Sequence, residues 1–160
     1  MAEQKTNVMR ILDQKKIKYN SHSYPHGDSA VDGVQVAQLI DRPVEQVYKT
    51  LVAVGATKKY YVFVIPADHE LDLKRAAKAV GEKSIAMLKV AELLPLTGYV
   101  RGGCSPIGMK KQFPTYLHET AEEQDTIIVS AGKIGQQVEI APNDLIKLIR
   151  GRLADIAIKE

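Results

Sequence analysis

The residues able to do chemistry in this chain fall in a few short stretches. Thr97 to Lys111 reads Thr-Gly-Tyr-Val-Arg-Gly-Gly-Cys-Ser-Pro-Ile-Gly-Met-Lys-Lys, with four glycines, one proline, the only cysteine and three cations. That composition is too permissive for a helix and too poor in apolar residues for a core strand, so it predicts a shaped loop. Gly102 and Gly103 are placed to take positive φ and let backbone amides approach a ligand, while Pro106 stiffens the turn. Arg101, Lys110 and Lys111 add positive charge, and exposed backbone combined with cations suits a phosphate or a carboxylate. A second glycine-bearing turn, Ser130-Ala131-Gly132-Lys133-Ile134-Gly135, would display Ser130, Gly132 and Lys133 at a hairpin tip. Lys49, followed by Thr50, stands at the entrance to an apolar run, where an ammonium either points into a cleft or snorkels to solvent.

Other reactive residue types carry less. Ser105 precedes Pro106 with no histidine close in sequence, which suits a turn serine better than a Ser-His-Asp nucleophile. Cys104 reads as a small buried hydrophobe. His22 and His26 lie in an extended segment with no cysteine or carboxylate cluster, so they define no metal site, and Tyr24 between them packs its ring and bonds its hydroxyl locally. Zinc spacing, a Walker loop and a dinucleotide fingerprint are all missing, and neither metal nor cofactor is expected.

These residues need elements to hold them. Thr6 caps a short helix through Val8, Ile11 and Leu12, and Ile17 to Tyr24 alternates like a half-buried strand ended by Pro25-His26-Gly27. Asp32 to Ile40 fits a second helix and Val44 to Tyr48 a third, opened by Pro43. Leu51 to Val54 and Tyr60 to Pro66 are strands of a hairpin whose continuous hydrophobicity says that both faces are covered. Asp72 caps the helix Leu73 to Val80, Lys83 to Met87 is a brief strand, and Val90 to Leu94 is a helical turn ended by Pro95. Thr115 to His118, Thr126 to Ser130 and Val138 to Ile140 have strand composition, a last helix runs to Ile149, and Ala154 to Ile158 adds an edge strand. Hairpins mixed with scattered helices predict an α+β fold, with a mixed, mostly antiparallel sheet of partial-barrel form flanked by helices.

The 160 residues are 45% hydrophobic, enough for one domain over residues 1–160 with a real core. A net charge of +3 is too small for a chain that coats nucleic acid, so basic surface must be local and DNA is not an expected partner. No signal-like segment opens the chain, no apolar run is long enough to span a bilayer, and one cysteine cannot make an internal disulfide. A cytoplasmic protein that makes no use of a membrane is the expectation.

Taken together, Tyr24, Lys49-Thr50-Leu51, Val64-Ile65-Pro66, Leu71-Asp72-Leu73-Lys74, Thr97-Gly98-Tyr99, the run Gly102 to Lys111 and Ser130-Ala131-Gly132-Lys133 resemble the YbaK/EbsC family of freestanding trans-editing proteins, similar to the Cys-tRNA(Pro) deacylases. The match runs nearly the full length. It implies a partial barrel related to the editing domain of bacterial prolyl-tRNA synthetases, and an activity that removes cysteine wrongly attached to proline tRNA. The implied mechanism uses the substrate's own thiol, which attacks the aminoacyl ester and leaves as a cyclic thiolactone, so catalysis is mainly positioning. The resemblance implies Lys49 as the charged group of the pocket, Gly102 as a source of backbone polar atoms, Ser130 and Gly132 as the opposite wall, and Tyr24 as a lid near the adenosine. It leaves Thr50 and Gly103 as further substrate contacts, and Arg101, Lys110, Lys111 and Lys133 as tRNA contacts. The family pattern is departed from at Gln137, where some relatives carry an acidic or small residue, and over Asp28 to Asp32, which lacks an aromatic. The implied partners are the acceptor end of mischarged tRNA(Pro) and prolyl-tRNA synthetase. Three other readings stand beside this one: an Ala-tRNA(Pro) editor using water, a noncatalytic module that binds aminoacyl-tRNA or a synthetase, and a hydrolase using Cys104 or Ser105.

Overall fold

The computed structural model describes residues 5–27 and 29–159, so Asp28, at one end of the segment that lacks the aromatic, lies outside the described residues. Helix α1 (Asn7–Gln14) begins where Thr6 Oγ1 accepts the Met9 amide at 3.2 Å, and it turns Val8, Met9 and Leu12 inward. Strand β1 (Tyr19–Ser23) and helix α2 (Gly33–Leu39), capped by Asp32, follow. The expected third helix is only a 3-10 turn at Val44–Gln46. Strand pairing overrides it, because Val47 bridges Ile128 and Tyr48 opens β2 (Tyr48–Gly55), which draws Lys49 and Thr50 into the strand. Next come β3 (Tyr60–Pro66), a short β4 (His69–Leu71), α3 (Leu73–Val80) and β5 (Ile85–Met87).

Helix α4 (Val90–Thr97) contains Pro95 instead of ending before it. One missing N–H forfeits one ladder bond, and the helix runs on to Gly98. The remaining elements are β6 (Thr115–His118), a 3-10 segment at Glu119–Glu123, β7 (Ile127–Ser130), β8 (Gln136–Ile140), α5 (Pro142–Ile149), β9 (Arg152–Ala154) and β10 (Ala157–Lys159). The expected single strand at Ala154 to Ile158 is therefore split in two. Its halves join different sheets, β9 pairing with β6 and β10 with β4.

Strand order is β5-β2-β3-β6-β9 in the largest sheet, β1-β8-β7 in the second and β10-β4 in the third. Pairing is antiparallel except for β3–β6 and β6–β9. The Val47–Ile128 bridge stitches the second sheet to the head of β2, giving the expected mixed, mostly antiparallel α+β fold without a closed barrel among the described residues. Strand β3 is covered on both faces, and its two-residue period divides the interior. Val62 and Val64 enter one apolar cluster with Val52, Leu117 and Ile140, while Tyr61, Phe63 and Ile65 enter another with Ala76 and Ile156. None of the described helices is long and apolar enough to cross a membrane.

The outer face of β8 is held by charge rather than by grease. Glu139 is 7% exposed, and its carboxylate accepts from Thr126 Oγ1 at 2.6 Å, His22 Nε2 at 2.8 Å and Gln46 Nε2 at 3.2 Å, with the Arg42 guanidinium 3.2 Å away. Burial pushes the Glu139 carboxyl up, but the Thr126 and His22 hydrogen bonds and the Arg42 charge outweigh it and leave the group below its ordinary value of 4.5. A folded-state value below the unfolded one adds stability above pH 4.5 that is lost as pH falls through the acid range. Glu139→Gln is expected to cost about 1–3 kcal/mol at neutral pH, with the deficit shrinking as urea denaturation is repeated toward pH 3. A deficit independent of pH would assign the loss to packing alone.

Candidate functional site

Strand β2 forms the floor of a cleft of about 910 Å³. Its other walls are the loop leading into α2, the chain from Val100 to Cys104, the β7–β8 hairpin and Tyr24. Tyr24, Lys49, Thr50, Arg101, Gly102 and Ser130 all line it, although they come from four separate segments of the sequence. Two neighbours are fixed by register. Lys49 and Thr50 sit opposite Ile65 and Val64 on β3, and Ser130 sits opposite Gln137 on β8. Tyr24 is tied to the hairpin by its amide, which donates to the Gly135 carbonyl at 3.0 Å.

The glycine-rich loop is rigidly shaped. Thr97 Oγ1 donates to Leu93 O at 2.8 Å and accepts the Tyr99 amide at 3.1 Å, and the Lys110 amide returns to Thr97 O at 3.0 Å. Buried Tyr99 donates its hydroxyl to Ile107 O, and burial pushes that phenol up to about 12. Gly102 has φ 85°, and a Cβ on it would lie 2.6 Å from the Ala30 Cβ. Gly103 is needed for a different reason than expected. Its φ is not positive, but a Cβ there would come within 3.1–3.3 Å of the Lys133–Ile134 backbone.

Not every residue singled out in the sequence meets in the cleft. Gly103 is buried behind it, while Gly132 and Lys133 face an adjoining cavity of about 330 Å³. Lys110 and Lys111 lean back on the protein, Lys110 Nζ donating to Pro95 O at 3.4 Å and Lys111 Nζ lying 5.9 Å from the Phe113 ring centre. Tyr48, Val100 and Ile134 line the cleft without having been singled out. Ile134 carried a signal, since it belongs to the second glycine-bearing turn, whereas Val100 is an ordinary apolar residue until the fold brings it to the rim.

Two hydroxyls of the cleft lining stand out. Among the described residues, the Tyr24 hydroxyl and Thr50 Oγ1 are buried without a hydrogen-bond partner. Such groups are costly unless something else satisfies them, so both are poised for a ligand or water. The expected local partner for the Tyr24 hydroxyl is not there. Lys49 is half-buried and Arg101 exposed, and these two cations share the lining with Asp32. None of the described lining residues is a histidine, so Ser130 has no imidazole base in the cleft, and its Oγ accepts the Gly132 amide at 3.1 Å. Cys104 is a buried thiol pushed up to about 12 by desolvation. Ser105 is fully buried, its Oγ accepting the Ile107 amide at 3.2 Å.

Gly102→Ala is expected to cost about 1–3 kcal/mol, because it combines a positive φ with a clash at Ala30. The control is Gly27→Ala, where a Cβ would meet nothing within 4 Å, and chemical denaturation of both variants checks the contrast.

Sequence and structure comparisons bear on this cleft. The family profile of the aminoacyl-tRNA editing domain matches residues 28–148, which include every cleft segment except Tyr24. A candidate Cys-tRNA(Pro)/Cys-tRNA(Cys) deacylase, EbsC of Enterococcus faecalis, is 47% identical over 159 residues, covering 99% of this chain and 97% of its own. A crystal structure of a candidate trans-editing enzyme for prolyl tRNA synthetase superposes with a TM-score of 0.81 at 26% identity, covering 99% of both chains. A proline–tRNA ligase of Thermosipho africanus is 29% identical over 77 residues, 48% of this chain and 14% of the ligase.

Proposed function

The chain belongs to the aminoacyl-tRNA editing domain family, and from that premise we propose that residues 1–160 form one deacylase domain that removes cysteine from mischarged Cys-tRNA(Pro). The observation that carries the reading is the full-length similarity to EbsC, coupled to a cleft that gathers Lys49, Tyr24, Thr50, Gly102 and Ser130. A cleft of about 910 Å³ has room for a terminal adenosine together with its aminoacyl group.

The chemistry follows from the side chains available. Cys104 holds its proton at neutral pH, Ser105 is sealed in the core, and Ser130 has no histidine beside it among the described lining residues and is engaged by the Gly132 amide. The nucleophile is then the cysteinyl thiol of the substrate. Its sulfur bonds to the ester carbonyl carbon, the bond from that carbon to the ribose oxygen breaks, and the thiol proton ends on the ribose hydroxyl. Cysteine leaves as a thiolactone that water opens. The Gly102 backbone and the Ser130 wall fold the aminoacyl group for attack, while the Lys49 ammonium balances charge at the ester. The two orphan hydroxyls of Tyr24 and Thr50 support a second reading, in which they orient a water that hydrolyses Ala-tRNA(Pro). Specificity for the tRNA body comes from association with prolyl-tRNA synthetase, since a chain of this size reaches little beyond the acceptor end.

Amino-acid release from Cys-, Ser- and Ala-tRNA(Pro) tests this. Cysteine alone is expected to be released, with Lys49→Ala slowed roughly 10²-fold and C104A and S105A at the wild-type rate. Release of alanine or serine would install water as the nucleophile, and binding without turnover would leave a noncatalytic module. Adding prolyl-tRNA synthetase is expected to favour tRNA(Pro) over other cysteinylated tRNAs; unchanged ratios would count against the association.

A further inference from the structure

The cleft has a neighbour. The cavity of about 330 Å³ on its flank is lined by His26, Gly98, Gly132 and Lys133, and it shares Val100 and Ile134 with the main cleft as a common wall. We propose that this cavity is a phosphate subsite, which receives the phosphodiester on the 5′ side of the terminal adenosine when the aminoacyl end occupies the cleft. The inference rests on the deacylase reading for the identity of that nucleotide, and on its own geometry for the phosphate.

Its lining is suited to an anion. Lys133 and His26 are exposed and face the cavity, and no carboxylate is among the described residues around it. His26 Nδ1 lies 2.8 Å from the Gly27 carbonyl, to which it donates, so the ring is oriented locally. The Lys110 stem passes beside the site, 3.3 Å from where a Cβ on Gly98 would be, while its ammonium donates to Pro95 O. The turn beside the cavity is held by its own hydrogen bonds, which use the amides of Ala131, Gly132 and Gln136.

Position agrees with chemistry. In a terminal adenosine the ester sits on the 2′ or 3′ oxygen and the phosphate on the 5′ carbon, on opposite sides of the ribose. With the ester turned toward Lys49 and Gly102, the 5′ phosphate must leave the cleft elsewhere. The wall formed by Val100 and Ile134 is where the cleft adjoins Lys133 and His26. Arg101, by contrast, lines the cleft itself and not the cavity, so the two cations would touch different parts of the ligand.

Binding of adenosine, 5′-AMP and the dinucleotide CpA to the full chain tests the assignment without requiring turnover. AMP and CpA are expected to bind more tightly than adenosine. Lys133→Ala should reduce that advantage roughly fivefold at low salt with adenosine affinity unchanged, and His26→Ala should reduce it as well. The salt slope for CpA should fall by about 0.7 in Lys133→Ala, the signature of one lost single-strand phosphate contact. Lys133→Glu should reduce binding further, and melting temperatures should stay at wild type because both side chains are exposed. Equal affinity for adenosine and AMP would overturn the subsite, as would a phosphate advantage that survives Lys133→Glu. A Lys133-dependent phosphate advantage in a protein that releases no amino acid would uphold the subsite while removing the deacylase reading.

Discussion

The cleft depends on two loops touching through their backbones. Gly103 lies so close to the Lys133–Ile134 peptide that any side chain would have to displace it, and Gly102 presses in the same way on Ala30. Side chains in this region are held apart by strands, but backbones at van der Waals distance have no slack, and a displaced loop would move two walls at once. Hydrogen bonds inside the glycine-rich loop, from Thr97, Tyr99 and Ser105, fix its shape before any ligand arrives. Fixed geometry of this kind is what catalysis by positioning requires.

The strands that carry the walls are pinned by buried carboxylates. Glu139 ties β8 to β1, to the Arg42 turn and to Thr126 just ahead of β7, and so steadies the hairpin that bears Ser130. At the far end of β2, Glu82 is 9% exposed and accepts from Tyr61 at 2.6 Å and from the Thr57 amide at 3.2 Å, closing the β2–β3 turn. Tyr61 is pushed up to about 12, chiefly by that hydrogen bond. A buried carboxylate is costly when unpaired, so each of these anions requires its partners in place and restricts the register of the strands around it.

Local signals in the sequence were strong where one residue decides the outcome. Thr6 and Asp72 cap their helices through their own side chains, and the unbroken apolar run from Tyr61 to Ile65 announced a strand with two covered faces. Signals failed where tertiary pairing competes with propensity. Val44 to Tyr48 has helical spacing, yet Val47 gains a partner in Ile128 only when extended, and the helix gives way. Pro95 stops a helix on local rules but is accommodated inside α4 at the loss of one bond. For the site, residue types in the glycine loops pointed to Gly102 and Ser130. Nothing local could separate Ser130 from Gly132 and Lys133, two and three positions on, although the fold sends them to different cavities.

That separation bears on how an editing site discriminates. An apolar pocket distinguishes side chains that differ by a methylene by only about 1–3 kcal/mol, and a cleft of about 910 Å³ is too roomy to exclude alanine or serine by size. On the proposed function, selectivity by exclusion is therefore weak, whereas selectivity by reactivity is not. A site that supplies position without a nucleophile turns over only a substrate that brings its own. On the proposed function, Lys49 and the Gly102 backbone hold the ester, the lateral cavity holds the phosphate, and the aminoacyl side chain is left to react or not. The orphan hydroxyls of Tyr24 and Thr50 mark the limit of that arrangement. On the same reading, a water held by either hydroxyl would compete with the substrate thiol for the carbonyl, so selectivity would depend on how they are satisfied once the aminoacyl end is in place.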